Sequence, residues 1–437
     1  MTTLLIVACV ISACFLFLIL IGFDFPRIIL LLVFLRPFLE AFYYLELGSI
    51  SGYGINPLSI WGALMIIVLN AYWLLQKKNP LDLGSTKWIA LFIGSLFIGG
   101  ILSTGIDAII NQLLKVLPWM LLVPVVADIC RTTEHTKILK LVYMALLLFI
   151  IVNCFFLLTG AYRTGYYKVG EFYGYFKGPQ PFSYTLLFLL PFAVYALRTQ
   201  KKKHMPLIIL LLTCLLIIFA YVRSTWVALL IGISLYLYFE RRLSRKYLSG
   251  ILLGSFFLFI LIYFRPIIEP AFQVRTEDIR ESISTGNLQN LGSGRLGFWE
   301  AQLGRYLHGT LNEQLFGRGF GSISLITFEE SGMRIGGHND YIDLLIGSGL
   351  FSCVLYLIFQ VNLIRSAFRL YRSGNKLLGQ LGMATMAGMV TIGLLSGIIY
   401  NQTSVYVAVL MGIILYLTRP ESETAPRYAS DGEKRFL

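Results

Sequence analysis

Histidine and carboxylate side chains collect in one short stretch of the C-terminal third, GGHNDYIDLLIGSGL (336–350). Asp340 lies just after His338, and Asp343 follows about one helical turn later. A helix that begins near Asn339 would therefore gather all three side chains near its N-terminus. An imidazole can remove a proton from a hydroxyl near neutral pH, and a carboxylate beside it can orient it. The alternative is that Asn339 or Asp340 only caps the helix and that His338 lies nearby by chance.

Four arginines could form a binding site for phosphate groups. Arg223 stands between two apolar runs at a tight hairpin, and a guanidinium donates to phosphate oxygens in a fixed fork geometry. Arg295 and Arg318 belong to a long polar segment, and Arg163 lies in the aromatic-rich loop 161–181. Arg295 and Arg318 could add to the same positive site, whereas the aromatic residues around Arg163 could either stack on sugar rings or form an interfacial belt. For Arg223 the alternative is a side chain that only snorkels to the membrane surface.

Two parts of the long polar segment have a readable pattern. The first predicts a helix on the membrane surface or against a helical bundle, because an apolar stripe recurs at helical spacing through Leu296, Trp299, Leu303 and Leu307. The second, LFGRGFGS (315–322), is rich in glycine, which lets the backbone approach a bulky or phosphorylated ligand. A flexible linker is the alternative for this second part.

The patterns of protein-bound metal sites are missing from the sequence. The chain has six cysteines and four histidines, but no CxxC pair and no HxxxH or HExxH spacing. We therefore expect neither a metal nor another cofactor.

Composition shows which elements must position these residues. Hydrophobic residues make up 57% and charged residues 14% of the 437 residues, whereas a soluble domain carries about 25% charged residues. The net charge of +13 comes from short basic clusters between apolar runs, which argues against nucleic acid as a partner. The sequence predicts a membrane protein that crosses the bilayer many times.

Apolar runs of roughly 20 residues mark the membrane spans. About 12–13 of them are predicted, and the fold class is an all-α integral membrane protein with one long external loop that contains short helices. The predicted spans are 4–22, 26–45, 57–76, 88–106, 107–127, 138–160, 181–198, 205–222, 224–239, 247–264, 341–364, 378–399 and 402–418.

Lysine and arginine fix the orientation, because cytoplasmic loops retain them during insertion. The basic connectors all fall on one side, which we assign to the cytoplasm, and the loops that hold His338 and the four arginines fall on the other. About ten spans form a first membrane block (1–264) and about three form a last block (341–418). Between them lies the external loop (265–340), and residues 419–437 form a disordered cytoplasmic tail.

Four sequence elements occur in the order found in one family of membrane enzymes. They are KGPQPFSYTLLFLLP (177–191), YVRSTWVALLIG (221–232), SGRLGFWEAQL with LFGRGFGS, and HNDYIDLLIGSGLF. Together they resemble the O-antigen ligase and polymerase superfamily of polytopic membrane glycosyltransferases over roughly residues 175–350. Val222 replaces the usual serine before the arginine, and Gln180 stands near an expected asparagine, so the resemblance indicates no particular subfamily.

The resemblance implies metal-independent, inverting transfer of a glycan from undecaprenyl diphosphate to a sugar hydroxyl. The location would be the external face of a bacterial inner membrane. By position, His338 would be the acceptor-activating base or orienting group, and Arg223 and Arg295 would hold the diphosphate. Arg163 and Arg318 would be secondary members of the positive pocket, and Asp340 or Asp343 would orient His338.

The sequence leaves three functions open. The first is an O-antigen-type polymerase, for which a chain-length regulator is a possible partner. The second is a ligase that moves the glycan to lipid A core, a protein or a wall polymer. The third, of a different class, is a flippase or transporter of the lipid-linked glycan. Few charges lie within the predicted spans, and the candidate residues collect at the external face, which favours an enzyme.

Overall fold

A computed structural model describes most of the chain. The described residues are 24–43, 45, 47–50, 53–75, 86–101, 106–160, 172–240, 295–331, 338–399 and 402–419. The predicted spans 4–22 and 247–264, Arg163 and nearly all of the C-terminal tail lie outside these ranges. Element names below number the helices and strands of the described residues in chain order.

The described part of the first membrane block is a series of apolar helices. A 3-10 turn (Phe38–Phe42) and a two-stranded antiparallel hairpin, β1 (Gly48–Ile50) and β2 (Tyr53–Ile55), interrupt the series near its start. The helices are α1 (Phe25–Leu35), α2 (Pro57–Leu75), α3 (Thr86–Ile101), α4 (Ile106–Ile129), α5 (His135–Thr159), α6 (Pro179–Thr199), α7 (His204–Phe219) and α8 (Arg223–Phe239).

Short helices of the predicted external loop come next, followed by the last membrane block. The loop contains α9 (Arg295–Leu307), α10 (Leu311–Phe316) and α11 (Phe320–Ser331). The last block contains α12 (Asp340–Arg372), α13 (Lys376–Leu395), a 3-10 turn (Gln402–Ser404) and α14 (Val405–Leu417).

Within the described ranges, five helices are long and apolar enough to cross a membrane by themselves: Pro57–Leu74, His135–Thr159, Pro179–Thr199, Asp340–Arg372 and Lys376–Leu395. Shorter apolar helices, among them α1, α7 and α8, occupy other predicted spans. The prediction of an all-α membrane protein is therefore confirmed.

The predicted span 26–45 is not one continuous helix. The α-helix ends at Leu35, and the chain continues in the 3-10 turn that begins at Phe38. Pro37 has no N–H to donate to a further helical turn. Arg36 and Glu40, which the two segments bring together, form a buried ion pair at 2.9 Å.

The loop helices fold onto the start of α12. Ile323 and Ile326 of α11 form a small core with Ile342 and Ile346 of α12, and Trp299 of α9 packs against it. The apolar stripe predicted for α9 is only partly buried, because the side chains of Leu303 and Leu307 are 37% and 67% exposed.

Helices α6, α8, α12 and α13 form the part of the bundle that carries the candidate residues. Helices α6 and α8 start side by side, where the Ser183 and Thr225 hydroxyls are 2.9 Å apart. They also end side by side, where Arg198 pairs with Glu240. Helix α13 packs against α8 and α12. The bundle therefore has a His338 end and an opposite end.

Candidate functional site

His338 lies in the bend directly before α12. Its φ of 55° places it in the left-handed region, which a residue with a side chain rarely adopts. The imidazole hydrogen-bonds to the backbone of Ser396. Burial, and after it the positive charge of Arg295, lower the pKa of His338 below its usual 6.5, while the hydrogen bond to Ser396 opposes this shift. The surroundings therefore favour a neutral imidazole.

The hydrogen bond with Ser396 raises the pKa of His338 and so favours its protonated form. Such an effect is expected when the imidazole ring is the donor. A neutral imidazole that donates one N–H to the Ser396 backbone keeps a lone pair on its other nitrogen. That second nitrogen is the atom that could accept a proton from a hydroxyl.

Asn339 caps α12 and also ties it to the end of α13. Its side-chain oxygen accepts from the backbone N–H groups of Tyr341 and Ile342, at 3.0 and 3.2 Å. Its side-chain nitrogen donates to the Leu394 carbonyl at 2.9 Å. The capping predicted for this stretch is therefore present, together with a second contact across the bundle.

Asp340 is buried and binds the chain just beyond α13. One carboxylate oxygen accepts from the N–H groups of Ile398 and Ile399, at 2.7 and 2.9 Å. The other oxygen has no hydrogen bond within the described residues. Asp343 is buried about one turn further along α12, where its charge acts on Asp340. Asp340 therefore holds the same turn that His338 contacts.

Arg295 reaches this turn from the loop. Its guanidinium donates to the Leu395 carbonyl, and its charge acts on His338. We call residues 394–399 the 394–399 turn. Its backbone groups bind the side chains of Arg295, His338, Asn339 and Asp340, which brings three of the predicted site residues, His338, Arg295 and Asp340, to one turn.

Arg223 lies at the first position of α8 and is exposed. The next residue, Ser224, lies beside Tyr184, which connects the start of α8 to the His338 region. The Tyr184 side chain is fully buried, and its hydroxyl lies beside the side chains of Ser224 and Ser396. It makes no well-formed hydrogen bond within the described residues. Arg295 is near enough for its charge to act on the Tyr184 hydroxyl, so one buried side chain links the starts of α6 and α8 to the 394–399 turn.

Arg318 lies in a different environment. Its guanidinium is 3.3 Å from the Glu313 carboxylate, and its backbone N–H donates to the Ile346 carbonyl at 2.7 Å. Glu313 also accepts from the backbone of Thr310, and this bond is the main cause that lowers the pKa of Glu313. The contacts of Arg318 are thus with the loop and with α12.

The glycines around Arg318 serve close packing against α12. A methyl group on Gly317 would lie 2.5 Å from the Ser348 backbone nitrogen. Gly349, with a φ of 79°, interrupts the helical geometry of α12, and a methyl group there would collide with the Leu315 carbonyl. This packing is a third explanation of the LFGRGFGS pattern, beside a ligand-binding loop and a flexible linker.

Sequence reasoning missed three polar residues of this region: Tyr184, Ser224 and Ser396. Tyr184 and Ser224 lie inside two of the motifs that carry the family resemblance, so those motifs were a usable signal. Ser396 stands in the short sequence SGII between apolar stretches. A serine followed by a glycine is compatible with a turn there but does not indicate a contact with histidine.

Comparison with known proteins supports the family resemblance. A search of curated proteins finds no match. A protein-family model described as O-antigen ligase matches residues 208–357. This match runs from α7 through α8 and the loop helices into α12, and it includes Arg223, Arg295 and His338. Over residues 208–357 the chain is therefore similar to the O-antigen ligase family.

Proposed function

We propose that this protein transfers a glycan from a lipid diphosphate carrier to a sugar hydroxyl, at the face of the membrane where His338 lies. The observation that carries the proposal is the pairing of His338, held as a neutral imidazole, with the arginine Arg295 on one turn. A base and a cation are the two groups that such a transfer requires.

His338 acts as the acceptor-activating base or orienting group. The acceptor oxygen attacks the anomeric carbon from the side opposite the diphosphate, so the configuration at that carbon inverts. As the new bond forms, the hydroxyl proton passes to the free nitrogen of His338. A neutral imidazole is the protonation state that this step needs, and Asp340 positions His338 indirectly, through the 394–399 turn. Asp343, whose charge acts on Asp340, is a secondary candidate for positioning His338.

Arg223 and Arg295 stabilise the departing diphosphate. Negative charge grows on the phosphate oxygens while the sugar–oxygen bond breaks, and guanidinium groups stabilise it without a divalent ion. Arg223 is exposed at the start of α8, where a lipid-linked donor can reach it. Arg163, which lies outside the described residues, and Arg318, which pairs with Glu313 in a different environment, are kept as secondary candidates for contact with the donor.

We assign the protein first to polymerases that lengthen a surface polysaccharide on undecaprenyl diphosphate, in a bacterial inner membrane with the site on the periplasmic face. A ligase would use the same chemistry with lipid A core, a protein or a wall polymer as the acceptor. The acceptor in the product separates the two.

The test is glycan transfer by the purified full-length protein in nanodiscs, with undecaprenyl-diphosphate oligosaccharide and EDTA. Wild type is compared with His338→Ala and with His308→Ala, which removes an exposed histidine of the same loop. We expect His338→Ala to lose about 10²- to 10⁴-fold in rate and His308→Ala to keep the wild-type rate.

Folding of each variant is checked by its thermal unfolding midpoint. Lengthened donor glycan indicates a polymerase, and glycan on an added acceptor indicates a ligase. Equal rates for wild type and folded His338→Ala would remove His338 from the mechanism. If no transfer occurs, movement of the donor across the bilayer of vesicles that contain the purified protein would favour a flippase.

A further inference from the structure

Two cavities lie between the same helices, one at the end of the bundle away from His338 and one near its middle. The first is at the opposite end and is polar. It comprises about 890 Å³ of space, part of it open to the surroundings, and Arg198, Glu240, Tyr371, Lys376 and Gln380 contribute to its walls. The ends of α6, α8 and α12 and the start of α13 surround it.

The second cavity lies deeper in the bundle and is apolar. It comprises about 520 Å³ of space, also partly open, and is bounded by α6, α8 and α13. Val194, Ile233, Tyr236, Leu381 and Ala384 are among its lining residues. Its apolar walls can contact a hydrocarbon chain such as the acyl chain of a lipid.

The two cavities are consecutive along each helix. Val194 and Arg198 are one turn apart on α6, and Tyr236 and Glu240 are one turn apart on α8. The Arg198 guanidinium donates to the Tyr236 hydroxyl at 3.1 Å, which joins the polar wall to the apolar one. The polar cavity is therefore adjacent to the apolar one, and we refer to the two as one site with a polar mouth and an apolar interior.

The depth of this site matches one leaflet of a bilayer. At 1.5 Å of rise per residue, the stretch of α6 from Leu187 to Arg198 is about 16 Å long. Half of the hydrocarbon core of a bilayer is about 15 Å thick. A lipid whose polar group lies at Arg198 could therefore extend an acyl chain as far as Leu187.

The mouth of the site is positively charged. Arg198 and Lys376 contribute two cations and Glu240 one anion to the lining. Exposed basic residues stand close by along the chain, at Lys201–Lys203 and at Arg372. Basic residues at a membrane surface attract anionic lipids, and Arg and Lys both bind phosphate.

We propose that this site binds one anionic phospholipid, with its phosphate at Arg198 and Lys376 and one acyl chain between α6, α8 and α13. The lipid would belong to the leaflet on the side opposite to His338. Its binding does not depend on the transferase proposal, because no residue of this site is part of the His338 region. The lipid would fix the relative positions of α6, α8 and α13, which carry Tyr184, Arg223 and the approach to the 394–399 turn.

The test is native mass spectrometry of the delipidated full-length protein with an equimolar mixture of dioleoylphosphatidylglycerol and dioleoylphosphatidylcholine. One basic residue at a membrane surface changes binding about fivefold, so we expect phosphatidylglycerol adducts to exceed phosphatidylcholine adducts by at least that factor. Lys376→Gln should remove most of this preference. The matched control, Lys201→Gln, removes an exposed lysine at the same end that does not line the site and should keep it.

Ala384→Leu tests the apolar half, because its larger side chain occupies the space of the acyl chain. We expect it to reduce adducts of both lipids while the thermal unfolding midpoint stays near that of wild type. Equal binding of the two lipids by wild type would overturn the proposal. Equal losses in Lys376→Gln and Lys201→Gln would also overturn it, as would displacement of phosphatidylglycerol by equimolar undecaprenyl phosphate, which would assign the groove to the carrier's chain.

Discussion

Two polar segments lie at the start of α12 or against its first turns, and they are held in different ways. Near residues 338–340, side chains bind backbone groups of the 394–399 turn. Near residues 315–319, backbone binds backbone: the N–H groups of Arg318 and Gly319 donate to the carbonyls of Ile346 and Gly347. One contact depends on the chemistry of side chains and the other on the lack of them.

This difference between side-chain and backbone contacts indicates which residues can take part in a reaction. In the first segment the polar side chains are ordered by the backbone around them, so a reactive group such as His338 is held in place. In the second segment the glycines permit close packing, and the one charged side chain, Arg318, pairs with Glu313. Both segments are rich in residues typical of sites, but only the first surrounds a base with a neighbouring cation.

A substitution that disrupts the close backbone contact of Gly349 with Leu315 has a large expected effect on stability. Gly349→Ala should destabilise the fold by about 1–3 kcal/mol through the glycine-only conformation, and by about 1–3 kcal/mol more through the collision with the Leu315 carbonyl. Gly160→Ala is the control, because Gly160 also has a positive φ, of 66°, but no atom of the described residues lies within 4 Å of the added carbon. Thermal unfolding in detergent measures both, and equal losses would contradict the packing explanation.

A loss of comparable size tests the side-chain contact. Asp340→Ala leaves the buried N–H groups of Ile398 and Ile399 without their acceptor, at a cost of about 1–3 kcal/mol for each group. Asp340→Asn keeps an acceptor oxygen and should lose less than half as much. The free energy of unfolding of the two variants is compared with that of wild type. If alanine and asparagine were equally destabilising, Asp340 would not hold the 394–399 turn through these bonds.

Substitution of the arginines tests the same difference between the two segments. Arg295→Gln should reduce the transfer rate about 10- to 100-fold, because a hydrogen bond to a charged group contributes about 1.5–3 kcal/mol. Arg318→Gln should reduce the transfer rate far less than Arg295→Gln, because the partly exposed ion pair of Arg318 contributes only about 0–1 kcal/mol. Arg305→Gln, which removes an exposed arginine paired with Glu329, is the control. A larger loss in Arg318→Gln than in Arg295→Gln would reverse the roles of the two segments.

Much of the fold could be predicted from the sequence, because long apolar runs have few alternatives in a membrane protein. The positions of α5, α6, α12 and α13 follow from hydropathy alone. The break after Leu35 was missed because the Arg36–Glu40 pair and Pro37 lie inside a run that is otherwise apolar. The close packing of Gly317 and Gly349 could not be predicted either, because it depends on segments that meet only in three dimensions.

The candidate site was predictable in its residue types but not in its contacts. The spacing of His338, Asp340 and Asp343 indicated a cluster at a helix start, and the helix begins at Asp340. Nothing in that spacing pointed to the 394–399 turn, which lies more than 50 residues later and joins Asn339 to Leu394. Tyr184 was overlooked because a tyrosine in a membrane span is usually part of an aromatic belt.

The pH dependence of transfer is the most direct test of the central claim, that His338 acts as a neutral base beside Arg295. Its pKa lies below the usual 6.5, so the base stays active to lower pH than an ordinary histidine, and the rate should fall only when the pH drops below that lowered pKa. In Arg295→Gln one cause of the lowering is removed, and the midpoint of the acidic limb should move up toward 6.5. A midpoint that is the same in both proteins, or one above 6.5 in wild type, would contradict the account.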